Sequence, residues 1–365
     1  MTGHLISHTS PVAVLGSGSA LPAHRFRNEE LLDRVSGFLP GRLRRRATGM
    51  AGKLGIEARF FSRPFFSARE APVASASAPY LGASAVQNAL ESSGLRIEEL
   101  ELLIGHTTTP HTLLPSNAAW IAERLAFGGP HVELRQACTG FAAAAVCAAA
   151  LIDSGVKSVA VAGTEVGSVM LDLERLAADP EQLVNLMQMG DGAAAVILGP
   201  MDQPGWQSRL EALFYGSLPG AHPPAISLPR GGSGAPSVEA SGITHFRHDY
   251  SAIRDRGARL LIAGLAAAES LGVERSRIDW YLPQQVNGRM AEFCARTLGV
   301  PGDRVIAGAD SVGNVGSAAM WLALDRLRRS GRLRPGHRVL VLGAEASKFM
   351  FGGFLYIHAE GPDRP

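Results

Sequence analysis

Among the residues able to do covalent chemistry, Cys138 stands out by its position. It closes the run VELRQAC (132–138) and directly precedes small and apolar residues, 139–154, that read as a helix stopping at Ser-Gly. A thiol there meets the positive end of the helix dipole, which favours the thiolate, the form that attacks carbonyl carbon. An ordinary core cysteine is the competing reading. Cys147, inside the alanine-rich helix, and Cys294, between Phe293 and Ala295 on an amphipathic helix, read as core. Two amide side chains, Gln284 and Asn314, fall at related places in the second half of the chain. Each can donate a hydrogen bond to a carbonyl or enolate oxygen, but neither is a base near neutral pH.

The elements that position these residues occur twice. ELLIGH (101–106) reads as a buried strand ending in a polar residue, and DWYLPQ (279–284) repeats it 178 positions later. An amphipathic helix follows each, from Asn117 and from Asn287. VELRQAC and VIAGADSVGN then lead to Cys138 and Asn314, each opening a helix of small residues, 139–154 and 315–330. VAVAGTE and VLVLGAE close the pattern, with Gly163 and Gly343 180 positions apart. Two duplicated βαβαβ halves follow, 1–199 and 200–365, with a mostly parallel sheet covered by helices. The duplication turns strand C-termini and helix N-termini towards one cleft, with Cys138, Gln284 and Asn314 around it. Residues 28–80 read as an insertion or cap. The Pro/Gly/Ser-rich stretch 216–242 reads as a long loop, functional or simply mobile.

Composition bounds the alternatives. The 365 residues are 46% hydrophobic and 19% charged, with a net charge of +2. That excludes a disordered chain and argues against nucleic-acid binding. Three cysteines make no disulfide framework and fit a reducing compartment. The longest apolar run, 141–152, falls short of the roughly 20 residues a membrane span needs, and the first residues lack a signal-peptide pattern. The expectation is a cytoplasmic protein with no membrane partner. GSGSAL (16–21) lacks the third glycine of a dinucleotide fingerprint, and no His/Cys/Asp cluster has metal-ligand spacing.

The segments GSGSALP, HTTTPHTLLPSNAAW, QACTGFAAAA, VAGTEVGS, GDGAAAVILG, DWYLPQQVN and VGNVGSAAMWLALD run in this order over nearly the whole chain. Together they resemble β-ketoacyl-ACP synthase III and its relatives in the thiolase superfamily. The resemblance implies a homodimer with the five-layer αβαβα thiolase fold. It also implies acyl transfer from CoA or acyl carrier protein (ACP) onto Cys138, with no cofactor beyond the CoA or phosphopantetheine thioester. The family's asparagine falls on Asn314. Its histidine, in a Pro-His-Gln-x-Asn pattern, falls on Gln284 within Pro283-Gln284-Gln285-Val286-Asn287, so proton transfer at that place is lost. The family's glycine-rich loop falls on Ala346-Ser347-Lys348, where side chains narrow the pocket and Lys348 points into the cleft or to the surface. Leu113 and Leu114 fall where the family passes an apolar side chain into the partner's acyl pocket.

Other groups enter as candidates. His106, His111 and His222 are candidate substitutes for the missing histidine, His222 from a loop that lines the family's entrance. The run Arg42, Arg44, Arg45, Arg46 and Lys53 is either a solvated helix face or a landing site for CoA phosphates or an acidic carrier. Three functions follow: an acyltransferase of specialised biosynthesis that loads Cys138 and passes the acyl group to an acceptor; a decarboxylative Claisen condensing enzyme using a malonyl donor; or a silent subunit shaping an active homologue.

Overall fold

The computed structural model describes residues 4–68, 70–201, 208–220, 222–228, 233 and 246–359. The chain opens with β1 (Leu5–His8) and β2 (Val12–Ala20), followed by a cap: β3 (Arg25–Arg27), α1 (Asn28–Arg34), α2 (Gly41–Leu54) and β4 (Ala58–Phe60). The first half continues through α3 (Ala78–Ser93), β5 (Leu102–His106), α4 (Asn117–Arg124) and β6 (His131–Leu134). It then runs through α5 (Gly140–Asp153), β7 (Val159–Val166), α6 (Pro180–Gln188) and β8 (Asp191–Gly199). The second half begins with β9 (Arg209–Ser217), β10 (Ile226–Ser227), β11 (Arg247–His248) and α7 (Tyr250–Ser270). It ends with β12 (Trp280–Pro283), α8 (Met290–Leu298), α9 (Ala309–Val312), α10 (Ala319–Arg329), β13 (Arg338–Glu345) and β14 (Met350–Ile357).

The strands form one ten-stranded sheet in the order β12-β13-β14-β9-β2-β8-β7-β5-β6, with β1 added beside β9. It is two half-sheets joined only where β2 meets β9, at Val12↔Leu210 and Ala13↔Arg209. The halves match: β5, β7, β8 and β2 of the first correspond to β12, β13, β14 and β9 of the second. Even β6 has a trace of a counterpart, the isolated parallel bridge Tyr281↔Val305. The sheet is mixed, which corrects the expectation of mostly parallel strands. Only β5/β6, β5/β7 and β12/β13 are parallel. Beyond the repeated motif each half turns back on itself, β7 into β8 and β13 into β14, and those returns are antiparallel.

The sheet residues are apolar on both faces because both faces are covered: all eight residues of β7 are buried. Helices α5 and α10 lie between the half-sheets and share one core with both, built around Phe141, Trp321 and Phe354. α3 and α4 cover the outer face of the first half, α7 and α8 that of the second. Five layers result, αβαβα. Close approach demands small residues at the crossings. A Cβ on Gly163 would lie 2.7 Å from both His106 and the Ser317 carbonyl.

The cap packs its apolar side, including Leu31, Leu43 and Phe65, against Leu173, Leu183 and Leu186. Of the long stretch 216–242, residues 221, 229–232 and 234–242 lie outside the described residues; the remainder completes β9 and forms β10, which pairs with β11. Cys294 is buried as expected, but Cys147 is exposed. It falls on the one stripe of α5, with Ala150, Leu151 and Ser154, that neither half-sheet covers.

Candidate active site

Cys138 lies just ahead of Thr139, the residue that caps α5. The positive end of that helix is already occupied. Glu345, from the end of β13, accepts hydrogen bonds from the Thr139 N–H (3.0 Å) and hydroxyl (2.6 Å), and a third from the Ser347 hydroxyl. The second half mirrors this. Glu165, from the end of β7, accepts from the Ser317 N–H (3.0 Å) and hydroxyl (2.9 Å) ahead of α10. Thr108 and Thr109 complete its shell at 2.7 and 2.6 Å. Each half therefore caps the other half's central helix.

That exchange refines the internal symmetry. Thr139 and Ser317, 178 positions apart, make the same contacts, so the counterpart of Cys138 is Gly316 and that of Asn314 is Gln136. Gly316 has φ of +46°, and a Cβ there would run into the Glu165 carboxylate.

Burial and the capping carboxylate together reverse the expected electrostatics of the thiol. Burial pushes the Cys138 pKa well above the usual thiol range, and the charges of Glu345 and then Glu165 push it further. The dipole of α5 alone favours the thiolate, but the carboxylate that opposes it comes from the other half of the chain. At physiological pH Cys138 is a thiol that must lose its proton as it reacts.

Cys138, Gln284 and Asn314 line one cavity of about 430 Å³, with mostly apolar walls from α6, α7 and α8. Gln284 follows β12 directly, and its backbone N–H bonds the Leu342 carbonyl at 2.8 Å. Its side chain is buried, yet neither Oε1 nor Nε2 has a partner among the described residues. A buried amide without a protein partner is costly unless a water or a ligand's polar group satisfies it. The neighbouring Gln285 is structural, its amide spanning the Pro283 and Ile306 carbonyls and the Gly308 N–H. Asn314 is pinned by its backbone to Gln188 and Gly190, and its Oδ1 accepts from the Gly316 N–H at 3.1 Å. The amide NH2 remains as its donor.

The other expected residues divide. Asn287 lines the cavity, and its Oδ1 accepts from the Arg289 N–H. Ser347 does not; its hydroxyl goes to Glu345. Lys348 is exposed and donates to the His222 carbonyl at 3.2 Å, so it lies on the surface and not in the cleft. From that turn the walls receive Ala346 and Phe349, the latter at φ +56°. His222 sits outside the wall, edge-on to Phe349. Arg45 is exposed on α2, which reaches the cavity only through Leu54. Leu114 and Leu113 are 87% and 70% exposed, away from this cavity. Of the substitute histidines, His106 is buried beneath Trp321, whose Nε1–H it accepts at 3.2 Å, and burial lowers its pKa to about 3. His111 lies edge-on to Trp120.

Sequence reasoning missed four wall or support residues: Glu345 and Glu165, Tyr250, and His248. The two glutamates were visible as matching ends of the repeated strands. His248 carried no local signal, because its place depends on β11 pairing with β10 and on α6 packing behind it. Among the described residues no group of three or more His, Cys, Asp or Glu could hold a metal. No described helix is long and apolar enough to cross a membrane.

Two family profiles match the chain: 3-oxoacyl-[acyl-carrier-protein (ACP)] synthase III over residues 132–212, and the C-terminal part of the same family over residues 268–355. Among solved structures, AbyA1, a tetronic acid condensing enzyme, is 25% identical with a TM-score of 0.81, covering 95% of this chain and 100% of its own. The 3-oxoacyl-(acyl carrier protein) synthase III, FabH, of Pseudomonas aeruginosa PAO1 is 24% identical (TM-score 0.75, covering 96% and 99%). Xanthomonas campestris OleA, solved with bound lauric acid and lauroyl-CoA, is 19% identical (TM-score 0.78, covering 96% and 100%). The architecture is the thiolase fold.

Proposed function

We propose that this chain is a condensing enzyme of the 3-oxoacyl-ACP synthase III type, which the two family profiles and the likeness to AbyA1 support, and that it works by acyl transfer through Cys138: an acyl group is loaded from acyl-CoA or acyl-ACP and passed to an acceptor. The carrying observation is that the thiol shares its cavity with the buried, unpartnered amide of Gln284. In this reading Cys138 Sγ attacks the thioester carbonyl, the C–S bond to the carrier breaks, and an acyl-cysteine forms. Gln284 Nε2 and the Asn314 NH2 donate to the oxygen that gains charge. The apolar walls hold the acyl chain, and Asn287 stands beside the incoming thioester. Enzymes of this type use no cofactor beyond the thioester substrate.

An amide at position 284 supplies hydrogen bonds but takes no proton. That supports transfer to a carrier thiol, hydroxyl or amine in specialised biosynthesis, and the likeness to a tetronic acid condensing enzyme favours that setting. The same pair of donors supports a second reading, decarboxylative condensation. Loss of CO2 from a malonyl thioester creates its carbanion without a base, so two amides polarising the malonyl carbonyl meet its chief need. The deciding experiment is a chase of preformed acyl-enzyme. Discharge only to non-malonyl acceptors supports acyl transfer; discharge by malonyl thioester with stoichiometric CO2 replaces it with condensation.

We read the assembly as a homodimer in which Leu114 reaches the partner's site. Its support is a set of exposed apolar residues, Leu113, Leu114 and Val132, the last on the outermost strand β6.

A further inference from the structure

Acyl transfer through Cys138 leaves a proton unaccounted for. The thiol reaches the reaction protonated, and neither Gln284 nor Asn314 takes its hydrogen. One imidazole lines the same cavity among the described residues, that of His248. We propose that His248 is the general base of this site, receiving the Cys138 proton as the acyl group is loaded and returning one when it leaves. This rests on the acyl-transfer reading above.

The geometry holds His248 as a base must be held. Its backbone pairs with Ile226 across β10 and β11, and its N–H donates to Glu181 at 3.2 Å. Its ring lies 3.9 Å from that of Tyr250 at 31°, fixing the plane. Nδ1 is 3.1 Å from Asn185 Oδ1, which also accepts the Tyr250 hydroxyl at 2.8 Å. An oxygen taking two bonds requires Nδ1 to be the N–H, so the lone pair is on Nε2, which has no protein partner among the described residues. The buried Nδ2 of the same asparagine is left unpartnered, its oxygen being committed to both donors.

The ring is in the form that can take a proton, and the burial that keeps it neutral also makes it a weaker base. Burial lowers the imidazole's pKa to about 4 against the opposing pull of Asp249, so the ring is neutral at physiological pH. The groups around it are Glu181 and Asn185 from α6 and Asp249 and Tyr250 from its own segment; the Cys138 thiol lines the same cavity. The other charged groups on the wall, Glu292, Arg289 and Arg296, belong to the α8 side, where Glu292 and Arg296 pair at 3.4 Å and are well exposed.

The step balances without a further reagent. Nε2 takes the Sγ–H proton as the Sγ–C bond forms, and the imidazolium gives it to the departing CoA or carrier thiolate as that C–S bond breaks. In the second half Nε2 takes the acceptor's proton, the acyl–Sγ bond breaks, and the proton passes to the Cys138 thiolate.

The test is single-turnover acylation by octanoyl-CoA and acetyl-CoA, read as acyl mass on the intact full chain. His248→Gln should slow labelling about a hundredfold or more and abolish the acid limb of the wild-type rate profile that the imidazole, at about 4, would produce. In His248→Ala, added imidazole should restore part of the rate. Labelling of His248→Gln within about threefold of wild type would overturn the proposal, as a general base typically contributes about a hundredfold or more. Slow labelling that imidazole cannot rescue would make His248 a structural residue only and would overturn it too. A wild-type chain that takes no acyl group, by contrast, removes the acyl-transfer reading itself and His248's role with it.

Discussion

At the scale of single residues, burial raises the pKa of the Cys138 thiol, and a carboxylate that is there for another purpose raises it further. Glu345 accepts from the N–H and hydroxyl of Thr139 just ahead of α5, and its charge then opposes ionisation of the neighbouring sulfur. Glu345→Gln keeps an acceptor for Thr139 but removes the charge, so the thiol pKa falls and the thiolate fraction at mildly alkaline pH rises. Alkylation of Cys138 by iodoacetamide should accelerate by up to about tenfold per pKa unit, with exposed Cys147 as the internal reference. An unchanged rate would mean burial alone sets the pKa. The helix-dipole argument from sequence located the candidate nucleophile but misjudged its state. The deciding contact joins residues 206 positions apart, and no local reading contains it.

At the scale of elements, the two central helices are each capped by a strand end from the other half, which locks the half-sheets around α5 and α10. Glu165 receives four hydrogen bonds, from Thr108, Thr109 and both the N–H and hydroxyl of Ser317. Glu165→Ala strands these buried donors and should cost about 3 kcal/mol or more, with Glu165→Gln retaining much of the stability. The urea midpoints of the two variants measure it; a loss below about 0.5 kcal/mol for the alanine would show that the caps do not hold the halves together. The repeated strands were legible as elements because both faces are apolar and each ends in Gly-x-Glu. The antiparallel returns were not: a short turn joins β13 to β14 but a segment containing α6 joins β7 to β8, so neither connection length nor the strands' own residues announce the direction. His248 was missed for a related reason: β10 and β11 are two residues each, too short for any periodicity.

At the scale of the whole molecule, duplication brings Cys138 from the first half and Gln284 and Asn314 from the second to one cavity, a convergence the repeat itself implied. What remains outside a single chain is the exposed apolar set of Leu113, Leu114 and Val132. Light scattering should give twice the chain mass, and Val132→Glu together with Leu114→Asp should shift it towards the monomer; a monomeric wild type would refute the assembly proposed above. Acylation of Cys138 in this cavity can be read by intact-protein mass spectrometry after incubation with a panel of acyl-CoA and acyl-ACP thioesters. The wild-type chain should gain a single acyl increment that is absent from Cys138→Ala. An increment that survives in Cys138→Ala, or none with any donor, would contradict acylation at Cys138.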